Sequence, residues 1–219
     1  MDYVRSRQRV ADHGEVFTPD WLVNDMLDLV KNESERIESR FLEPACGSGN
    51  FLVPVLERKL GSVRARYGAS NFEFRHYALL ALMSVYGIEL LEDNTEECRS
   101  NLLATFVECV KAQPGDDIVA AAQSVLSLNI VNGDALSMLN RAGEPITFAE
   151  WAYLGKGHFQ RRDFRFEALT QMSLYGEGTL FEEMDRADLF KAEKDFPALT
   201  IGDLAALENP NLTREGEVA

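Results

Sequence analysis

Histidine and cysteine are scarce, three of each in 219 residues. Cys46, Cys98 and Cys109 form an odd set without Cys-x-x-Cys spacing, and His13, His76 and His158 are scattered, so neither a disulfide framework nor a zinc or other metal cluster is supported. No run of about 18 uncharged apolar residues exists to span a membrane. The start, Met1-Asp2-Tyr3-Val4-Arg5, lacks the apolar stretch of a secretory signal, which makes the cytoplasm the expected compartment. Positive charge is also in short supply: 22 basic against 36 acidic residues give a formal charge of −14, and that field opposes unaided binding to a polyanion. Apolar residues are plentiful at 46%, enough for one domain with a sizeable core, or one domain with an appendage.

The stretch around which the chain is organised is Phe41-Leu42-Glu43-Pro44-Ala45-Cys46-Gly47-Ser48-Gly49-Asn50-Phe51-Leu52. Apolar residues lead into an acid, then a tight loop with glycines two apart, then an apolar run with helical spacing. Strand, glycine loop and helix in that order bring backbone N–H groups and a helix N-terminus against a ligand. Gly47 and Gly49 lack a Cβ and let the backbone approach it, and the helix after Asn50 offers partial positive charge to a carboxylate.

The wording of this loop, Glu43 through Phe51, closely resembles the S-adenosylmethionine (SAM) loop of the amino-group DNA methyltransferases, in particular the adenine-N6 enzymes of restriction-modification systems. Upstream, Val16-Phe17-Thr18-Pro19 resembles the family's first SAM-contacting element, which closes over the methionine end of the cofactor. Thr18 also reads as an N-cap with Pro19 at the first helical position, opening a helix over 19–31. Residues 32–39 read as a charged linker, and 40–43 as the first strand.

Helical patterns follow over 53–66 and 72–83. Val85-Tyr86-Gly87-Ile88-Glu89-Leu90 then reads as a second buried strand ending in an acid. Ligands of parallel α/β sheets sit at the carboxyl ends of strands, so Glu89 is positioned to accept hydrogen bonds from both ribose hydroxyls. The resemblance puts the family's ribose-binding acid at the same point. Cys98, Leu102, Thr105, Phe106, Cys109 and Val110 give a core-packing helix over 94–111, and 118–126 a further short helix. The third strand, 128–136, ends in Gly133-Asp134-Ala135-Leu136, which resembles the element whose Asp accepts a hydrogen bond from the exocyclic amine of SAM. The resemblance thus implies a cofactor site built from Val16, Phe17, Thr18, Glu43, Ala45, Cys46, Gly47, Gly49, Asn50, Phe51, Glu89, Asp134 and Ala135. A NAD-type Rossmann unit is disfavoured, since its acid falls about 20 residues beyond the glycines, and Glu89 lies far later.

The match stops after Leu136. The family's fourth strand ends in Asn/Asp-Pro-Pro-Tyr/Phe, whose polar groups steer the lone pair of the target amine while the ring stacks on a flipped base. No Pro-Pro pair occurs anywhere in the chain, and Asn209-Pro210-Asn211-Leu212 lacks both the second proline and the ring. No catalytic residue is assigned. Trp151, Tyr153, Phe159, Phe164 and Phe166 interleave with Lys156, Arg161, Arg162 and Arg165. That stretch reads either as a stacking and phosphate-contact strip for nucleic acid or as core aromatics beside a solvated arginine face. The N-terminal arginines, Arg5, Arg7 and Arg9, read as a solvated arm in preference to a partner or nucleic-acid contact.

The expected architecture is a Rossmann-like α/β methyltransferase domain over 1–140, a parallel and truncated sheet with helices on both faces. The remainder of the sheet, or an irregular partner-docking extension, occupies 141–219. Three functions follow from the resemblance. One is a SAM-dependent DNA adenine-N6 methyltransferase unit of a restriction-modification or phage-defence system, acting on DNA with the help of a second subunit or a further copy of itself. Another is a catalytically inactive SAM-binding module of such a system. The third is a methyltransferase for protein or RNA.

Overall fold

The computed structural model describes residues 9, 11, 18–174 and 192–207. The chain opens with α1 (Asp20–Leu29), the short α2 (Lys31–Ser34) and β1 (Phe41–Glu43). α3 (Leu52–Tyr67), α4 (Asn71–Met83) and β2 (Val85–Glu89) follow, then α5 (Glu92–Val110), α6 (Asp117–Asn129), β3 (Ile130–Asp134) and the short β4 (Leu139–Asn140). β1, β2 and β3 are parallel, in the order β1-β2-β3, and β4 closes the far edge antiparallel to β3. A second, antiparallel sheet holds β5 (Thr147–Gly155), β6 (His158–Arg165) and β7 (Lys194–Asp195), with α7 (Phe166–Leu174) and α8 (Ile201–Ala205) completing the described chain.

The helices form where the apolar period is 3.6 residues. In α5, Cys98, Leu102, Phe106 and Val110 are buried at every fourth position, and Lys111 ends the helix in a left-handed conformation at φ 52°. α4 starts at Ser70, whose side chain accepts the Glu73 N–H, and it is buried continuously from Ala78 to Met83 because it is covered on several sides. Along β2, Gly87 faces the helices: a Cβ there would lie 2.8 Å from Cys46 Sγ and 3.1 Å from Leu52 Cδ1. On neighbouring strands Phe41 lies under the Lys59 ammonium of α3, and Asn132 donates to Thr95 of α5.

The opposite face of the sheet differs from expectation. Tyr86 points there and meets the β5–β6 hairpin: its hydroxyl donates to the Ala149 carbonyl at 2.8 Å, and its ring sits edge-on to Phe148 at 5.4 Å. Instead of helices on both faces, the sheet carries helices on the Gly87 face and an aromatic hairpin on the Tyr86 face. The physical reason is the burial of Phe148, Trp151, Phe159 and Phe164 in the hairpin and of Phe166 just after it, which fill the role of a second helical layer. The irregular extension expected beyond residue 140 is therefore regular over 147–165.

Three boundaries also moved. The third strand starts at Ile130 because α6 runs on to Asn129, whose buried amide donates to the carbonyls of Met83 and Val85 and accepts from Trp151 Nε1. α1 begins at Asp20 with Pro19 in the cap position. The Pro19 carbonyl receives the Leu22 and Val23 N–H groups at 3.0 Å, so Thr18, exposed, makes no side-chain cap bond. Part of the expected linker is the turn of helix α2, held by the Ser34 hydroxyl on the Leu27 and Lys31 carbonyls. Among the described residues no helix is long and apolar enough to cross a membrane.

Candidate functional site

The carboxyl ends of β1, β2 and β3 each carry an acid: Glu43, Glu89 and Asp134. Between β1 and α3 the chain turns sharply at Gly47 and Gly49, with φ of 53° and 93°, in the region that disfavours side-chain-bearing residues. The loop is fastened to β2 by two hydrogen bonds. The Cys46 N–H donates to the Ile88 carbonyl at 3.0 Å, and the Gly47 N–H donates to Glu89 Oε2 at 2.8 Å. The second oxygen of Glu89 accepts the Leu91 N–H at 2.9 Å, so this buried carboxylate joins the glycine loop to the start of α5.

From the helical side, Asn101 of α5 donates to the Ser48 carbonyl, and the Ser48 hydroxyl donates to Asn50 Oδ1, both at 3.0 Å. Gly49 backs onto Cys98, whose Sγ would be 3.1 Å from an added Cβ. The Cys46 thiol is held far above its usual range, chiefly by its hydrogen bond with Cys98 and by burial. Ala45 is exposed, while Phe51 is half-buried against the core and precedes α3 without supplying a side-chain cap. Glu43 is half-buried. Its desolvation raises the carboxyl above the ordinary carboxylate range, against a weak bond from the Ala45 N–H at 3.4 Å.

Asp134 lies on β3 two residues beyond Asn132, the partner of Glu89 in the ladder. Its carboxylate accepts the Leu136 N–H at 2.9 Å, and that bond, followed by the Ser137 hydroxyl, holds the carboxyl below its usual range. Ala135 is half-buried beside it. Asn132 ties the two tips together by donating to the carbonyls of Glu89 and Leu90. Thus the fold brings Glu43, the 45–51 loop, Glu89 and Asp134 to one end of the sheet. Val16 and Phe17 lie outside the described residues.

Two contributors escaped the sequence reading. Asn132 had no motif to mark it. Arg9, read as part of a solvated arm, donates to both carboxylate oxygens of Asp93, in the first turn of α5 just beyond Glu89. A partner 84 positions away leaves no local signal for such a contact.

The basic-aromatic strip folds into the β5–β6 hairpin, with most of its rings buried and its arginines beside carboxylates. Arg161 pairs with Asp163 at 2.8 Å and lies over the Trp151 and Phe196 rings, Arg162 pairs with Glu150 at 2.5 Å, and Arg165 pairs with Glu193. Carboxylates occupy the guanidinium groups that a phosphate would need, and four of the five rings are core. Lys156 is exposed at the hairpin turn, whose Gly157 packs against Phe72 and His76 of α4. α4 lies at the amino end of the sheet, with Tyr77 stacked on Tyr67 at the end of α3, so Lys156 sits away from the strand tips. Asn209 and Pro210 lie outside the described residues.

Three carboxylates around a backbone loop suit a ligand rich in N–H and O–H donors. Such a set can accept hydrogen bonds from a ligand and orient it. Residues 4–118 match the family model described as N-6 DNA methylase. No curated protein and no solved structure matches the chain.

Proposed function

With more than half of its length matched, the chain belongs to the N-6 DNA methylase family, and we infer that it is the SAM-binding part of a DNA adenine-N6 methyltransferase whose amine-orienting element lies outside residues 1–219. The observation that carries this reading is the Gly47–Glu89 hydrogen bond, which sets the glycine loop against the tip of β2 beside two further strand-end acids. SAM presents donors in the positions such a set can use: two ribose hydroxyls toward Glu89, an exocyclic amine toward Asp134, and an ammonium toward Glu43. Gly47 and Gly49 would admit its close approach, with Ala45, Cys46, Asn50, Phe51 and Ala135 forming the walls and Val16, Phe17 and Thr18 closing the methionine end. When bound, it supplies a methyl group on a sulfonium for transfer to an amine lone pair. The residues of this chain bind and orient; steering the lone pair requires the missing Asn/Asp-Pro-Pro-aromatic element.

The test is calorimetric titration of SAM and of its demethylated product into the purified chain, followed by methyl-transfer assays on duplex DNA. The assays use the chain alone and the chain mixed with a polypeptide that carries that element. Binding in the first experiment and transfer only in the mixture are expected. No heat from either compound at saturating protein overturns the reading. Binding without transfer in both assays identifies an inactive SAM-binding module, and transfer to protein or RNA but not DNA a different methyltransferase.

A further inference from the structure

The Glu89 carboxylate takes its direction from the backbone around it. The Gly47 and Leu91 N–H groups each occupy one of its oxygens, so the lone pairs left for a ligand point where those two donors allow. Gly47 stands on the glycine loop. Leu91 stands on the turn that joins β2 to α5, and a shift of that turn carries the carboxylate with it.

Each carbonyl of the 89–91 turn accepts a side-chain hydrogen bond. Asn132 of β3 donates from Nδ2 to the Glu89 carbonyl at 2.9 Å and to the Leu90 carbonyl at 3.1 Å. The hydroxyl of Thr95, a buried residue of α5, donates to the Leu91 carbonyl at 3.0 Å and accepts from the same Asn132 nitrogen at 3.4 Å. With its single proton given to Leu91, Thr95 can only accept from Asn132. Three acceptors therefore face one nitrogen, which settles the end of the amide that meets the turn. Asn132 is itself held on its far side. Its carbonyl accepts the Arg141 N–H at 3.1 Å, and Gly133 beside it lies so close to β4 that a Cβ would fall 2.7 Å from the Leu139 carbonyl.

We propose that Asn132 is a positioning residue for the ribose end of the cofactor: its amide fixes the 89–91 turn and, through the Leu91 N–H, the carboxylate of Glu89 that receives the two hydroxyls. This rests on the function proposed above. Asn132 acts through Glu89 and not on the ligand, so its removal weakens only what Glu89 holds. A carbonyl of the turn that loses the amide can turn to water at this open end of the sheet, where Leu90 is exposed. The fold then survives while the direction of the carboxylate is lost. Asn129 makes a like pair of bonds, to the Met83 and Val85 carbonyls, at the opposite end of β2, and has no strand-tip acid to orient.

Asn132→Ala is compared with the unsubstituted whole chain by two measurements. The first is amide exchange by NMR without ligand. Exchange at Leu91 and Gly47 is expected to speed up by about tenfold, while Phe41, bonded to the Ser84 carbonyl at the other end of the sheet, changes less than about twofold. The second is calorimetric titration of the demethylated product of SAM and of its 2′,3′-dideoxy analogue. Asn132→Ala is expected to bind the product about tenfold more weakly and the analogue less than about twofold more weakly, because the analogue has no hydroxyls for Glu89 to hold. A chain that is merely destabilised loses both ligands alike. Equal loss for the two, or unchanged exchange at Leu91, overturns the inference. If Asn132→Ala does not fold, Asn132→Ser, which keeps a hydroxyl without the reach of the amide, is read by the same criteria. Absence of heat from the product in the unsubstituted chain overturns the functional reading, whereas normal binding there and in Asn132→Ala overturns the inference alone.

Discussion

At the scale of single residues, Glu89 has a structural task that its position in the sequence did not suggest. Its place at a strand tip marked it as an acceptor for a ligand, but both oxygens already accept backbone N–H groups, from Gly47 and from Leu91. Each oxygen keeps a lone pair for an outside donor. Glu89→Gln would turn an NH2 group toward one of those two N–H donors, so the ligand-free protein is expected to lose about 1–3 kcal/mol of stability. Denaturant unfolding without cofactor measures this, and a midpoint equal to that of the unsubstituted chain overturns the structural role. Asp134→Asn is the control: its carboxylate accepts from Leu136 and Ser137 within the turn that follows β3, at a more open tip, and fastens no distant segment. Gly47 and Glu89 were each legible in the sequence as a loop glycine and a strand-end acid at the same end of the sheet. Their mutual bond was not, because nothing local links residues 42 positions apart.

At the scale of elements, Lys59 shows how α3 fixes the approach to β1. Its side chain is wholly buried, and its ammonium donates to the carbonyls of Arg36, Ile37 and Ser39 at 2.8, 3.2 and 2.5 Å. Lys59→Met keeps the volume but strands three carbonyls, and a loss of about 2–4 kcal/mol is expected. Burial, helped by the charge of Arg36, lowers the Lys59 pKa from 10.5 to about 7. Between those values the unfolded chain holds a proton that the folded chain releases, so the penalty for burying Lys59 is full below about 7 and is relieved as pH rises toward 10.5. Unfolding measured from pH 7 to 10 should show stability rising more steeply in the unsubstituted chain than in Lys59→Met, and parallel curves would refute the assignment. The helices around Lys59 were readable because the 3.6-residue period dominates them. The hairpin was not: aromatic residues alternating with arginines write the same pattern for a stacking strip and for a core face. Glu150, Asp163 and Glu193 beside the arginines, distant in sequence or on the facing strand, weigh toward the core face.

On the scale of the whole molecule, the charge pattern limits what the chain does alone. A charge of −14 repels a duplex, and the hairpin arginines that could have countered it are held by carboxylates. Freeing those guanidinium groups for phosphate would leave Glu150, Asp163 and Glu193 facing the same polyanion, so the exchange gains nothing. The isolated chain is therefore expected to bind a 30-base-pair duplex no more tightly than about 10⁻⁴ M at physiological salt, the weak end of non-specific binding. Addition of a polypeptide that carries the Asn/Asp-Pro-Pro-aromatic element and an excess of basic residues should bring affinity up by orders of magnitude. The slope of log affinity against log salt should then count the partner's cations, leaving that slope unchanged in Arg162→Gln and Lys156→Gln. Fluorescence anisotropy across a salt series makes the measurement. Micromolar, salt-sensitive binding by the chain alone, weakened by those two substitutions, would return the hairpin to the nucleic-acid interface and remove the need for a partner's charge.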